Sequence, residues 1–150
     1  MQRAIELALD GVRTGRGGPF GALVVQGGVI VGEGSNLVTS SNDPTAHAEI
    51  IAIRAACQQL GTFSLAGATL YTSCEPCPMC LAAIHWARIE QVFHSCDRQD
   101  AARAGFDDAA LYEEFEHPPS ARKLALTAYL RDEGLEAFRV WLAKPDRKPY

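Results

Sequence analysis

Ala68-Thr-Leu-Tyr-Thr-Ser-Cys-Glu-Pro-Cys-Pro-Met-Cys-Leu-Ala-Ala-Ile-His-Trp-Ala-Arg-Ile-Glu-Gln-Val-Phe-His-Ser95 is the stretch that decides the fold. Ala68 to Ser73 is short, apolar and β-rich, as a buried strand should be. Pro76 and Pro78 then bracket Cys77, so Cys77 is expected to cap a helix that Pro78 opens. Met79 to Arg88 is a run of helix formers with Leu81, Ile84 and Ala87 on one face. Ile89 to Ser95 returns to strand-like sequence. Strand, helix and strand in succession favour parallel pairing, and with it an α/β layer fold.

Working toward the N-terminus, Ser40-Ser-Asn-Asp-Pro-Thr-Ala-His47 offers Asp43 as a cap and Pro44 as a first helical residue. A helix is therefore expected from near Thr45 through Leu60, ended by Gly61. Before it, Phe20 to Val25 and Val29 to Gly34 flank Gln26-Gly-Gly28, which reads as a hairpin. The first residues space Ile5, Leu9 and Val12 as one face of a helix. Toward the C-terminus, helices are expected over Arg98 to Ala104, Asp108 to Phe115 and Leu135 to Ala143, with a strand over Lys123 to Leu130. The chain has 150 residues, which suits one domain over 1–150.

Composition excludes several classes. Hydrophobic residues make up 47% and charged residues 21%, ordinary values for a folded chain, so disorder and fibrous repeats are set aside. The longest apolar stretch is interrupted at Gln26-Gly-Gly28, far short of the ~20 residues a membrane-spanning helix needs. No signal peptide pattern opens the sequence, so a cytoplasmic address is expected. The formal net charge is −4, and Asp97 to Glu116 holds seven acidic residues against Arg98 and Arg103. Such a chain attracts no polyanion globally, and nucleic acid is not an expected partner.

Five cysteines, three of them within Cys74 to Cys80, favour metal over disulfides. His47-Ala-Glu49 and Pro76-Cys-Pro-Met-Cys80 each stand at an expected helix start, and helix starts that follow strands converge on one edge of a sheet. His47, Cys77 and Cys80 would supply one imidazole and two thiolates, leaving open the fourth position of a tetrahedral Zn²⁺ site, as catalytic zinc requires. The helix ends favour the thiolates electrostatically. Glu49, two residues from His47, is placed to move protons at that open position, the pattern of an exchange of an amino group for oxygen. A closed four-cysteine site using Cys74 and Cys96, or a redox-active Cys77-x-x-Cys80, leaves His47 and Glu49 without a role. Cys57, Cys74 and Cys96 are instead expected to be small buried residues. A noncatalytic zinc-stabilised binding module is the alternative from another class, and Glu49 argues against it.

These motifs, together with Gly17-Gly-Pro-Phe-Gly-Ala22, Ser41-Asn-Asp-Pro-Thr-Ala-His-Ala-Glu49, Tyr71 to Cys80, Ala104-Gly-Phe-Asp-Asp108 and the terminal Tyr150, resemble the cytidine-deaminase-like superfamily. Within it they resemble the bacterial guanine deaminase branch over nearly the whole chain. The resemblance implies a three-layer α/β fold with a mixed central sheet of about five strands flanked by helices. It implies one Zn²⁺ per subunit on His47, Cys77 and Cys80, Glu49 as proton shuttle, and hydrolytic deamination of guanine to xanthine, with ammeline-like triazines as further substrates. A tRNA adenosine deaminase, or a guanosine or cytosine deaminase, is the rival reading. It also implies a homodimer that exchanges the segment from about Cys96 onward, with Asp108 and Tyr150 completing the partner's pocket.

Asn36 and Asp108 are expected to contact the base as amide and carboxylate. Asn36 is equally readable as a turn residue, and Asp108 as a helix cap. Phe20 and Trp86 could stack on a flat ring or simply pack in the core. Glu113, or its neighbour Glu114, is the candidate second catalytic carboxylate, and a solvated helix face is its plainer reading.

Overall fold

A computed structural model describes residues 1–106 and 108–149. The chain divides into two compact units, Met1–Tyr112 and Glu113–Tyr150. In the first, the elements run α1 (Gln2–Arg13), β1 (Gly21–Gln26), β2 (Val29–Ser35), α2 (Val38–Ser41), α3 (Ala48–Leu60), β3 (Thr69–Cys74), α4 (Pro78–Trp86), β4 (Gln91–Cys96) and α5 (Arg98–Arg103). α6 (Asp108–Glu116) spans the division between the units. The sheet has the order β2-β1-β3-β4. β1 pairs antiparallel with both β2 and β3, whereas β3 and β4 are parallel. This is the mixed α/β sheet expected, with four strands rather than five.

Glycine registers show how the layers form. Adjacent strand residues point to opposite faces, so Gly21 and Ala22 look out from opposite sides of the sheet. A Cβ on Gly21 would collide with the backbone of α1 at Ala4 and Ala8, which places α1 against that face. Ala22 is paired with Gly34, and a Cβ on Gly34 would collide with the backbone of α3 at Ala48 and Ala52. α1 and α3 therefore cover opposite faces, giving three layers. On the α3 face, Ala48, Ala52 and Ala56 form a buried stripe at helical spacing, packed with Val24, Leu70 and Ile84 in the main core.

Several local expectations are corrected. α1 buries Ala4, Ala8 and Gly11, and leaves Ile5, Leu9 and Val12 on the outside. The close approach at Gly21 admits only small side chains, so steric fit outranks hydrophobic periodicity there. α3 starts at Ala48 with His47 as its N-cap. Asp43 instead accepts from the Thr45 N–H at 2.8 Å and the Thr45 hydroxyl at 2.7 Å, closing a turn before the helix. Cys77 caps α4 and Pro78 is its first residue, as expected. Cys96 lies exposed on β4 rather than buried.

The second unit carries the end of α6, a 3₁₀ turn at Pro119–Ala121 and α7 (Arg131–Ala143). No strand forms over residues 123–130, where Leu124, Leu126 and Tyr129 are 72%, 70% and 85% exposed. Among the described residues, no helix is long and apolar enough to cross a membrane.

Candidate active site

Two helix starts deliver the metal donors. His47 caps α3 in an extended conformation, Cys77 does the same for α4, and Cys80 follows in the first turn of α4. The close seating of α3 on β2 brings these ends together. The donor atoms of His47, Cys77 and Cys80 all lie within 4.8 Å of one another. Nδ1 of His47 and Sγ of Cys77 are 3.6 Å apart. Zinc bonded tetrahedrally to one nitrogen at ~2.0 Å and one sulfur at ~2.3 Å would hold them about 3.5 Å apart, so the pair is already spaced for the ion. One imidazole and two thiols at half-buried and buried positions are zinc's preferred chemistry, and the set leaves one coordination position free.

The local electrostatics suit the same ion. The Cys80 thiol, hydrogen-bonded to the sulfur of Cys77, brings the Cys77 thiol down to about 4, and His47 adds to the effect. Cys80 moves in the opposite direction because it holds the shared proton and is buried. Replacing Cys80 with Ala is expected to leave protein that loses zinc on dialysis, as read by elemental analysis. Retention of one zinc per chain in that variant would place the ion elsewhere.

Glu49 sits in the first turn of α3 and is only 5% exposed. Its Oε1 accepts from the hydroxyl of the fully buried Thr72 at 3.1 Å, and its Oε2 accepts from the Cys80 thiol at 3.5 Å. Burial pushes its carboxyl above the usual range. Thr72 shares the α3 face of the sheet through its pairing with Ala22, which is why its side chain reaches the helix.

These groups open on a cavity of about 420 Å³. His47, Glu49 and Cys77 form part of its wall, and Phe20, Asn36 and Asp108 line it as well. The carbonyl oxygen of Asn36 accepts from the Gly18 and Val38 backbone N–H groups, each at 3.2 Å. Two donors on one oxygen settle which way the amide faces, and the NH₂ is left as the donor available to the cavity. Gly17 lies so close to Asn36 that a Cβ there would overlap its backbone carbonyl. Phe20 meets Phe106 edge to face, with centroids 4.7 Å apart at 81°.

Three sequence candidates stand apart from this group. Trp86 is the last residue of α4, 63% exposed and not part of the cavity wall. Glu113 is exposed on α6 in the second unit. Tyr150 lies outside the described residues. Phe106 and Glu75, by contrast, line the cavity without having been singled out. Both neighbour noticed residues, Phe106 in the Gly-Phe-Asp-Asp stretch and Glu75 between Cys74 and Cys77, yet nothing local marks their direction. The Cys74 thiol, raised to about 12 by burial, lies outside the metal cluster, so a four-cysteine site does not form among the described residues.

Residues 1–96 match the cytidine and deoxycytidylate deaminase zinc-binding region. The chain belongs to this deaminase family. Guanine deaminase of Bacillus subtilis is 50% identical over all 150 residues and 96% of its own length. The crystal structure of that enzyme superposes with a TM-score of 0.95, covering 99% of this chain and 95% of the other. A tRNA-specific adenosine deaminase from Agrobacterium fabrum is 47% identical over 76 residues, 51% of this chain and 50% of its own. Likeness to the guanine deaminase thus extends through the C-terminal residues, whereas the aligned part of this tRNA enzyme covers half the chain.

Proposed function

We propose that this deaminase acts on guanine, adding water at C2 and releasing ammonia to leave xanthine. The observation that carries the reading is the pairing, in one cavity, of an anionic acceptor at Asp108 with an amide donor at Asn36, beside Glu49 and the metal donors. Guanine presents N–H groups along one edge and ring acceptors along another, which these two side chains complement. Full-length identity to the Bacillus subtilis enzyme supports the same substrate.

His47, Cys77 and Cys80 hold zinc, which supplies the Lewis acidity that lets water ionise near neutral pH. Glu49 accepts the proton of the attacking water, delivers it to a ring nitrogen, and then carries the proton of the new C2 hydroxyl to the departing amine. Thr72 holds one oxygen of Glu49, so the other faces the metal donors. Asp108 and Asn36 hold the base, with Phe20 against its ring. Glu113 provides a second carboxylate for the leaving amine, and Tyr150 completes the pocket across a homodimer. The homodimer exchanges a C-terminal segment between its subunits. Leu124, Leu126 and Tyr129, exposed within the unit Glu113–Tyr150, are the apolar surface such an exchange would cover. The enzyme works in the cytoplasm.

Ammonia release from zinc-loaded enzyme should be measured with guanine, ammeline, guanosine, cytosine and a tRNA anticodon stem. Turnover of guanine is expected, and turnover of the RNA alone would overturn the assignment. Asp108→Asn is expected to lower kcat/KM for guanine at least ~10-fold, the scale of a lost charged hydrogen bond, with zinc content unchanged. Unchanged kcat/KM in this variant would leave Asp108 as a helix cap only.

A further inference from the structure

α6 places Asp108 in the cavity, yet none of its described residues is buried, so core packing does not set its position. Tyr112 lies one turn further on and therefore shares the face of Asp108. Its hydroxyl donates to the carbonyl oxygen of Pro76 at 2.8 Å, in the loop immediately before Cys77. Its ring lies beneath the guanidinium of Arg98, 4.0 Å from the centroid. Arg98 in turn donates from Nε and from its terminal nitrogen to Oε1 of Glu75 at 3.1 and 2.7 Å, and its backbone N–H donates to Oε2 at 3.1 Å. Three separate parts of the chain, the metal-ligand loop, α5 and α6, are thereby joined at residues adjoining the cavity.

We infer that Tyr112, braced by Arg98 and Glu75, is a positioning residue that sets the distance between the base-recognising carboxylate of Asp108 and the metal-ligand loop at Cys77. Arg98 has a second effect. Glu75 also lines the cavity, and pairing with Arg98 neutralises a carboxylate that would otherwise stand as a second anion beside Asp108. A hydrogen bond to a backbone carbonyl and a planar cation stacked on a ring are both directional, which suits a device that must fix a helix without a core beneath it.

The inference rests on the proposed base recognition, and Asp108→Asn tests that foundation separately. Tyr112→Phe keeps the ring under Arg98 and removes only the hydroxyl. It is expected to raise KM for guanine about fivefold, the effect of one hydrogen bond, with kcat within a factor of two and zinc content unchanged. Calorimetric titration with the product xanthine should show a matching loss of affinity. Arg98→Met, which leaves Glu75 unneutralised, is expected to raise KM further, and Arg98→Lys to recover part of it. A KM within twofold of the parent in Tyr112→Phe, or a fall in kcat at constant KM, would overturn the inference. If Asp108→Asn impairs guanine use while Tyr112→Phe does not, only this positioning role fails. If neither matters, base recognition by Asp108 fails with it.

Discussion

Glu49→Gln is expected to lower kcat on guanine by at least ~10²-fold while the protein keeps its zinc, the loss associated with removing a positioned general acid–base. Gln has nearly the same shape, and its carbonyl oxygen can still accept from Thr72, which now reaches Oε1 at 3.1 Å. Its NH₂ cannot take a proton from water or hand one to a ring nitrogen. The metal donors His47, Cys77 and Cys80 are untouched, so elemental analysis should return one zinc per chain, and KM should move much less than kcat. The size of the loss follows from position. A carboxylate only 5% exposed cannot readily be replaced by bulk water as proton carrier. Parent-like kcat in the zinc-loaded variant would exclude Glu49 as the shuttle. A zinc-free variant would make Glu49 a prop for the metal site instead.

The metal centre was legible because its parts are local. His47-Ala-Glu49 and Pro76 to Cys80 each carry their own helix-start signals, and capping geometry aims the ligands without help from distant chain. Asn36, Phe20 and Asp108 were legible as chemistry, since an amide, a ring and a carboxylate suit a purine. Their convergence depends on tertiary approach. The orientation of Asn36, for example, is set by backbone donors at Gly18 and Val38. Misreadings arose where a pattern had a second physical solution. Ile5, Leu9 and Val12 have helical spacing, but the opposite face of small residues fits the groove over Gly21. Asp43-Pro44 looks like a helix start and is a turn that defers the helix to Ala48. Lys123 to Leu130 has strand composition, and a strand exists only where another strand accepts its hydrogen bonds. Phe106 and Glu75 gave no signal because their roles come from what folds against them.

Gly34→Ala is expected to destabilise the protein by about 3 kcal/mol, at the upper end of overpacking penalties, and to reduce activity as well. A methyl group there would overlap the carbonyl oxygen of Ala48, stand 2.7 Å from the backbone nitrogen of Ala52 and 2.9 Å from Cβ of Ile51. Two of these obstacles are helix backbone, which cannot rotate aside as a long side chain would. The whole of α3 must lift, and His47 and Glu49 stand at the end of the helix being lifted. For a chain of this length the midpoint of thermal unfolding should fall by roughly 9 °C. Gly61→Ala provides the contrast. Gly61 has φ of 64° at the far end of α3 with open space around its missing Cβ, so the cost is backbone strain alone, about 1 kcal/mol. That change should leave zinc content and turnover at parent values. If Gly34→Ala melts at the parent temperature, or melts lower yet retains full kcat, the seating of α3 on β2 does not govern the placement of His47 and Glu49.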